Sequence, residues 1–182
     1  MDSLPDVFGH VRDPGLRRMI GHWLGLRRGR LLPARRDVDP AALRWALADI
    51  FMVDHLPETD RYRFRLAGER IVEQMGDPMR GRHLDEIVPP GMLARVVGYY
   101  RQAIEGPALV HITGAINIAR GRVGTGERIL MTLADDGTRA GGLVGMTVYD
   151  WQNVHPAATM STGAPLVGVT ATPVAALASA PA

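Results

Sequence analysis

The sequence predicts an α+β domain built on a five-stranded antiparallel sheet, with helices on one face and an N-terminal helical extension. Three observations predict it. Residues 61–66 alternate strictly between arginine and apolar side chains, the period of a half-buried strand. Residues 92–105 carry an apolar stripe at helical spacing, stopped by Gly106 and Pro107. Three strand-like runs separated by turn residues then follow.

Taken in chain order, Asp13 and Pro14 form an N-cap and first-turn pair. Leu16, Met19, Ile20, Trp23 and Leu24 then recur at helical spacing as far as Gly29, a residue suited to end a helix in the left-handed conformation. Asp39 and Pro40 open a second, shorter amphipathic run through Leu43, Ala46, Leu47 and Ile50. Residues 51–56 read as a buried strand and residues 54–60 as a turn around Pro57. In the next strand Tyr62, Phe64 and Leu66 share the apolar face, opposite Arg61, Arg63 and Arg65. Short elements are expected over 71–75, closed by Gly76, and over 84–88. After the long helix, strands are expected at 110–119, 128–134 and 143–149. Gly124-Thr125-Gly126 and Asp135-Asp136-Gly137 supply the intervening turns. No charged residue occurs from Pro156 to the end, a composition that reads as a flexible tail. The expected division is an arm (1–12), a helical extension (13–49), the sheet domain (50–152) and the tail (153–182).

Composition narrows the function. The 182 residues hold 21 basic and 19 acidic side chains, for a net charge of +2, and every basic residue is arginine. So balanced a chain projects no strong field toward nucleic acid, and no aromatics interleave with its arginine cluster. No apolar run reaches the ~20 residues of a membrane span, and no secretory leader opens the chain, so a cytoplasmic protein is expected. The absence of cysteine removes disulfides, zinc–thiolate sites and thiol chemistry. Serine occurs only at Ser3, Ser161 and Ser179, and there is no lysine for a Schiff base or P-loop. The sequence therefore predicts no catalytic residues, no metal ligands and no enzyme.

The most informative stretch runs from Trp23 to Pro40, where Arg27, Arg28, Arg30, Arg35 and Arg36 fall between a helix stop and a helix start. Trp23, Leu26-Arg27, Gly29-Arg30, Pro33, Arg35, Asp37 and Asp39-Pro40 form one ordered motif. Tyr62-Arg63-Phe64-Arg65-Leu66-Ala67-Gly68 forms a second, followed by Gly76 and Gly81. On these residues the chain resembles a bacterial PAS subfamily of stand-alone single domains, over about residues 15–150. The resemblance implies a PAS-like sensory or regulatory module; it identifies no ligand.

Several candidate sites follow. In the arginine segment, Arg30, Arg35, Arg36, Asp37 and Asp39 are candidates either for an internal latch or for an external anion site. Internal pairing is favoured, with Arg30 covering the open carbonyls of the first helix. The ladder of Arg61, Arg63 and Arg65 requires nearby acids, because like charges on one strand face repel. An apolar ligand pocket would be lined by Tyr62, Phe64, Leu66, Ile71, Met75, Met92 and Val96. Haem would need His83 or His111 as its axial ligand. Leu16, Ile20, Trp23 and Leu24 are candidates for a homodimer face. The resulting expectation is a non-enzymatic sensory or regulatory module acting through protein–protein association, with modulation by a small ligand left open. The alternative is a sensor or carrier with haem or another tight cofactor. The cofactor stays unnamed; the partner is a signalling protein or a second copy, with no nucleic acid and no membrane.

Overall fold

In the computed structural model, which describes residues 4–119, 122–135, 139–156 and 167–179, one sheet organises the chain. Its strands are β1 (Ile50–Leu56), β2 (Arg61–Ala67), β3 (Ala108–Ala119), β4 (Arg122–Ala134), β5 (Ala140–Pro156) and β6 (Gly168–Pro173). They lie in the order β2-β1-β5-β4-β3-β6, all neighbours antiparallel. Three helices accompany them: α1 (Pro14–Leu26), α2 (Glu69–Met75) and α3 (Pro90–Glu105). The α+β class expected from sequence is the class observed, with a sixth strand added.

Strand alternation divides the interior into two cores. Leu109, Ile129, Met131, Leu133, Val144 and Met146 face Leu16, Met19, Ile20 and Trp23 of α1, together with Phe8 and Val11 of the N-terminal arm. Their sequence neighbours Val110, Leu130 and Leu143 face Tyr100, Ala103 and Ile104 of α3, and Ile71 of α2. The sheet is thus covered on both faces, because the N-terminal extension supplies a second layer. That layer overturns the expected homodimer face. Leu16, Ile20 and Trp23 are fully buried against the chain's own sheet, Leu24 packs partly buried beside them, and the Trp23 indole donates a 2.9 Å hydrogen bond to the Thr132 carbonyl.

Local signals explain the helix ends. The Asp13 carboxylate accepts from the Leu16 backbone N–H at 2.9 Å, with Pro14 at the first helical position. Beyond α1, Arg28 and Gly29 take positive φ of 48° and 80°, so the chain turns back where glycine permits it. Residues 40–49 are not the expected second helix. Their backbone bonds mostly close over three residues (Ala42 to Asp39, Leu43 to Pro40, Ala46 to Leu43, Asp49 to Ala46), giving consecutive turns that still bury Leu43 and Ala46. The Asp39 side chain starts them by accepting from the Ala41 N–H at 2.8 Å.

Three more expectations change. Residues 54–56 belong to β1, so the turn is confined to 57–60. Gly124, Thr125 and Gly126 lie within β4, opposite β3, at a register irregularity. The expected turn at 135–137 is partly outside the described residues; Asp135 closes it by donating to the Arg139 carbonyl at 3.0 Å. The supposed tail contributes β6, which pairs with β3 from Thr113↔Gly168 to Ala108↔Pro173, and Val174 and Leu177 enter the α1-side core. Its β-branched valine and threonine residues fit a sheet edge although no charge marks the boundary.

Candidate functional site

The arginine segment folds onto itself and onto the sheet. Arg30 Nε donates to the Arg27 carbonyl at 3.1 Å and its Nη2 to the Leu26 carbonyl at 3.0 Å, satisfying groups left open at the end of α1. The same guanidinium pairs with Asp37, whose carboxylate also accepts from the Ala34 N–H at 2.9 Å. The hydrogen bond from Arg30, foremost, holds the Asp37 carboxyl below its ordinary pKa. Arg27 lies beside the Trp23 ring, 5.8 Å from its centroid. Asp39 belongs to the turn described above, and Arg36 is exposed with no ion pair among the described residues.

Arg35 joins this segment to the sheet. Its Nη2 contacts Asp135 at 2.5 Å, Asp54 at 3.2 Å and the Gly141 carbonyl at 3.2 Å. Asp54 in turn accepts from Arg63 at 3.3 Å and from Arg65 at 3.2 Å. One carboxylate therefore serves three guanidinium groups. Its side chain is only 8% exposed, against 24%, 44% and 52% for Arg35, Arg63 and Arg65, so the acid is the enclosed member. Arg61, the remaining rung, is held by Asp85 at 2.7 Å and Glu86 at 2.9 Å. The arginine segment and the arginine ladder, separate features in sequence, meet at Asp54. The signal was the hairpin: a four-residue turn setting Leu56 opposite Arg61 puts Asp54 opposite Arg63.

On the opposite face lies an apolar cavity of about 60 Å³. Five of the sequence-derived pocket residues line it: Phe64, Ile71, Met75, Met92 and Val96. Tyr62 belongs to the same core, its ring edge-on to Tyr100 at 5.4 Å, without lining the cavity. Leu66 packs on the α1 side. A register shift leaves Arg65 as the extra residue between the Val53↔Phe64 and Met52↔Leu66 pairs. That bulge turns Leu66 away from the face of Tyr62 and Phe64. The structure adds Met79 and Tyr100 to the lining, with Arg128 as its charged member. Burial pushes the Tyr100 hydroxyl up to about 12, so it stays a neutral phenol.

The two histidines considered for haem are not aimed at this cavity. His83 Nδ1 pairs with Glu86 at 3.0 Å, and His111 occupies the α1 side of the sheet beside Glu127. Gly68, last residue of the second motif, has a backbone reason to be glycine: a Cβ there would collide with the carbonyls of Leu47 and Ala48. Among the described residues no helix is long and apolar enough to cross a membrane, and no group of three or more histidine or acidic side chains is placed to hold a metal ion.

A family model described as PAS domain matches residues 11–148. No curated protein and no solved structure matches the chain.

Proposed function

Because the chain belongs to the PAS domain family, we propose that it works as a sensory or regulatory module whose signal leaves by association with a signalling protein, without haem or another large resident cofactor. The observation that carries this reading is the size of the apolar cavity. At about 60 Å³ it falls far below the roughly 300–1,000 Å³ of small-molecule sites. Haem and flavin are larger than that space, and neither candidate axial histidine faces it. A small apolar modulator remains compatible with the module, because Met75, Met79 and Met92 line the cavity and thioether chains repack readily.

The arginines support the exclusion of nucleic acid. Arg30, Arg35, Arg61, Arg63 and Arg65 are engaged by acids of the same chain, so these five charges are already compensated and are not free to neutralise phosphates. Burial of the α1 stripe makes a second copy docked through that helix a poor partner, so a different protein is the better one. Native mass spectrometry with absorption spectroscopy on the purified chain tests the reading. The expected result is the bare polypeptide mass with no visible absorption band; a stoichiometric retained cofactor would make the protein a carrier or cofactor-based sensor.

A further inference from the structure

The sheet ends in two edge strands, and the chain treats them differently. The outer side of β2 is covered. The Phe64 N–H donates to the Arg82 carbonyl at 2.8 Å, the Gly81 N–H donates to the Phe64 carbonyl at 2.7 Å, and Arg63 forms a bridge with His83. Arg61, Arg63 and Arg65 add the kind of charge that keeps an edge from pairing. At the other end lies β6, and no described strand pairs with its outer side. It carries no charged residue, and no proline before Pro173.

The phase of the ladder fixes which groups β6 leaves open. The Val174 N–H donates to the Pro107 carbonyl at 2.8 Å, one step beyond the Ala108↔Pro173 pair. Opposed residues of an antiparallel pair alternate between bonded and unbonded. Thr172, Thr170 and Gly168 therefore turn their backbone groups toward Leu109, His111 and Thr113 of β3. Val169 and Ala171 turn N–H and carbonyl groups outward, and Pro173 turns out a carbonyl alone. The Val169 side chain is 39% exposed, so an apolar group stands beside this open row. Such a row is a template for another strand.

We propose that β6 is a homodimer interface, pairing antiparallel with β6 of a second copy across a two-fold axis at Thr170. In that register Val169 stands opposite Ala171 of the second copy, and the outward donors and acceptors of both residues are used. Pro173, which lacks an N–H, falls at the end of the paired stretch. On one face the larger Val169 meets the small Ala171; on the other Thr170 meets its own copy, a pair suited to a sheet. The charge pattern favours a second copy as the occupant. A residue on a two-fold axis faces itself, so a charged strand would set like charges together; β6 has none, whereas β2 carries Arg61, Arg63 and Arg65. A strand this short makes an interface below the roughly 1,200 Å² of stable complexes, so the dimer is reversible, with a Kd of about 10–100 μM.

The test is sedimentation equilibrium of the full chain from about 5 μM to about 1 mM, where monomer should pass to dimer. Thr170→Lys, at an exposed side chain, sets like charges face to face on the axis and should weaken association about tenfold or more. Thr170→Val, uncharged and β-branched, should keep it. The unaltered chain gives a second reading by amide hydrogen exchange. Between dilute and concentrated samples, exchange at Val169 and Ala171 should slow about threefold or more, with less change at Thr170 and Thr172, already bonded to β3. A strict monomer at about 1 mM would leave the edge to a strand of a different protein and overturns the proposal. So does a dimer that Thr170→Lys leaves intact, or exchange at Val169 and Ala171 that ignores concentration. The interface uses neither the apolar cavity nor the α1 stripe, so this test and the cofactor measurement fail separately.

Discussion

The two faces of the sheet are closed by different means. On the α1 side, Trp23 and its neighbours fill the core, a directional indole hydrogen bond fixes the helix to Thr132, and a charged cluster around Asp54 ties the following segment to β1 and β2. On the α3 side, the corresponding space is shared by Met75, Met79 and Met92, and a cavity remains among them. Well-packed side chains with fixed partners hold one arrangement, whereas thioether side chains around a gap can take several. The contrast suggests a rigid face that acts as a frame and an adaptable face suited to respond.

The sharpest way to break this comparison is to empty the rigid face. Trp23→Ala removes a fully buried side chain and the hydrogen bond to Thr132, and should cost about 3–5 kcal/mol. Met92→Ala, from the partly exposed lining of the cavity, should cost about 1 kcal/mol. Urea denaturation of both variants measures the difference, and equal losses would remove the distinction. Next in size is Asp54→Ala, which strips the shared carboxylate from three arginines. An enclosed acid with partly exposed partners should cost about 2–3 kcal/mol, less than a fully buried pair.

Adding volume probes the same contrast from the other direction. Ala46 is fully buried against α1, and Ala46→Leu should lower stability by about 1–3 kcal/mol through overpacking. Val96→Leu adds one methylene at the cavity wall and should stay within about 0.5 kcal/mol of the parent, or stabilise it. Thermal melts of the pair are sufficient; a loss in Val96→Leu as large as in Ala46→Leu would show that the second face is packed as tightly as the first.

Why some of this was legible and some was not has physical reasons. Helix α1 was marked by its Asp13–Pro14 start and four-residue apolar spacing, α3 by its stripe and Gly106, and β2 by alternation. These signals are local, as are the left-handed turns at Gly29 and Gly76. The misread features depend on partners distant in sequence. Leu66 changes face because a bulge interrupts the pairing of β1 with β2. The segment containing β6 resembles a tail in composition, and becomes a strand only because β3 offers an edge. Asp54 looked like the first residue of a turn, yet its role is fixed by register with Arg63 and by Arg35 arriving from outside the hairpin.

The smallest effects per group concern pH. Burial lowers the pKa of His111 and His22 in the folded chain, so the unfolded chain takes up those protons first. Their contribution is fully present above the ordinary histidine value of about 6.5 and is lost as pH falls through the lowered folded values. Hydrogen bonds from Arg30 to Asp37 and from Arg61 to Asp85 lower those carboxyls, adding stability above about pH 4 that disappears below it. Stability measured in urea should therefore be level above pH 7, decline gently below 6.5 and fall more steeply below 4. His111→Gln should reduce the first decline to the share of His22 and leave the second in place; an unchanged first decline would assign it to other groups.

The central structural claim is that Asp54 joins the arginine segment to the sheet. A double-mutant cycle of Asp54→Ala and Arg35→Ala by urea denaturation tests it directly. The two changes should be coupled by about 1 kcal/mol or more. Additivity within about 0.3 kcal/mol would mean that the 3.2 Å contact carries no energy and that the segment is held to the sheet by its other contacts, among them those of Arg35 with Asp135 and the Gly141 carbonyl.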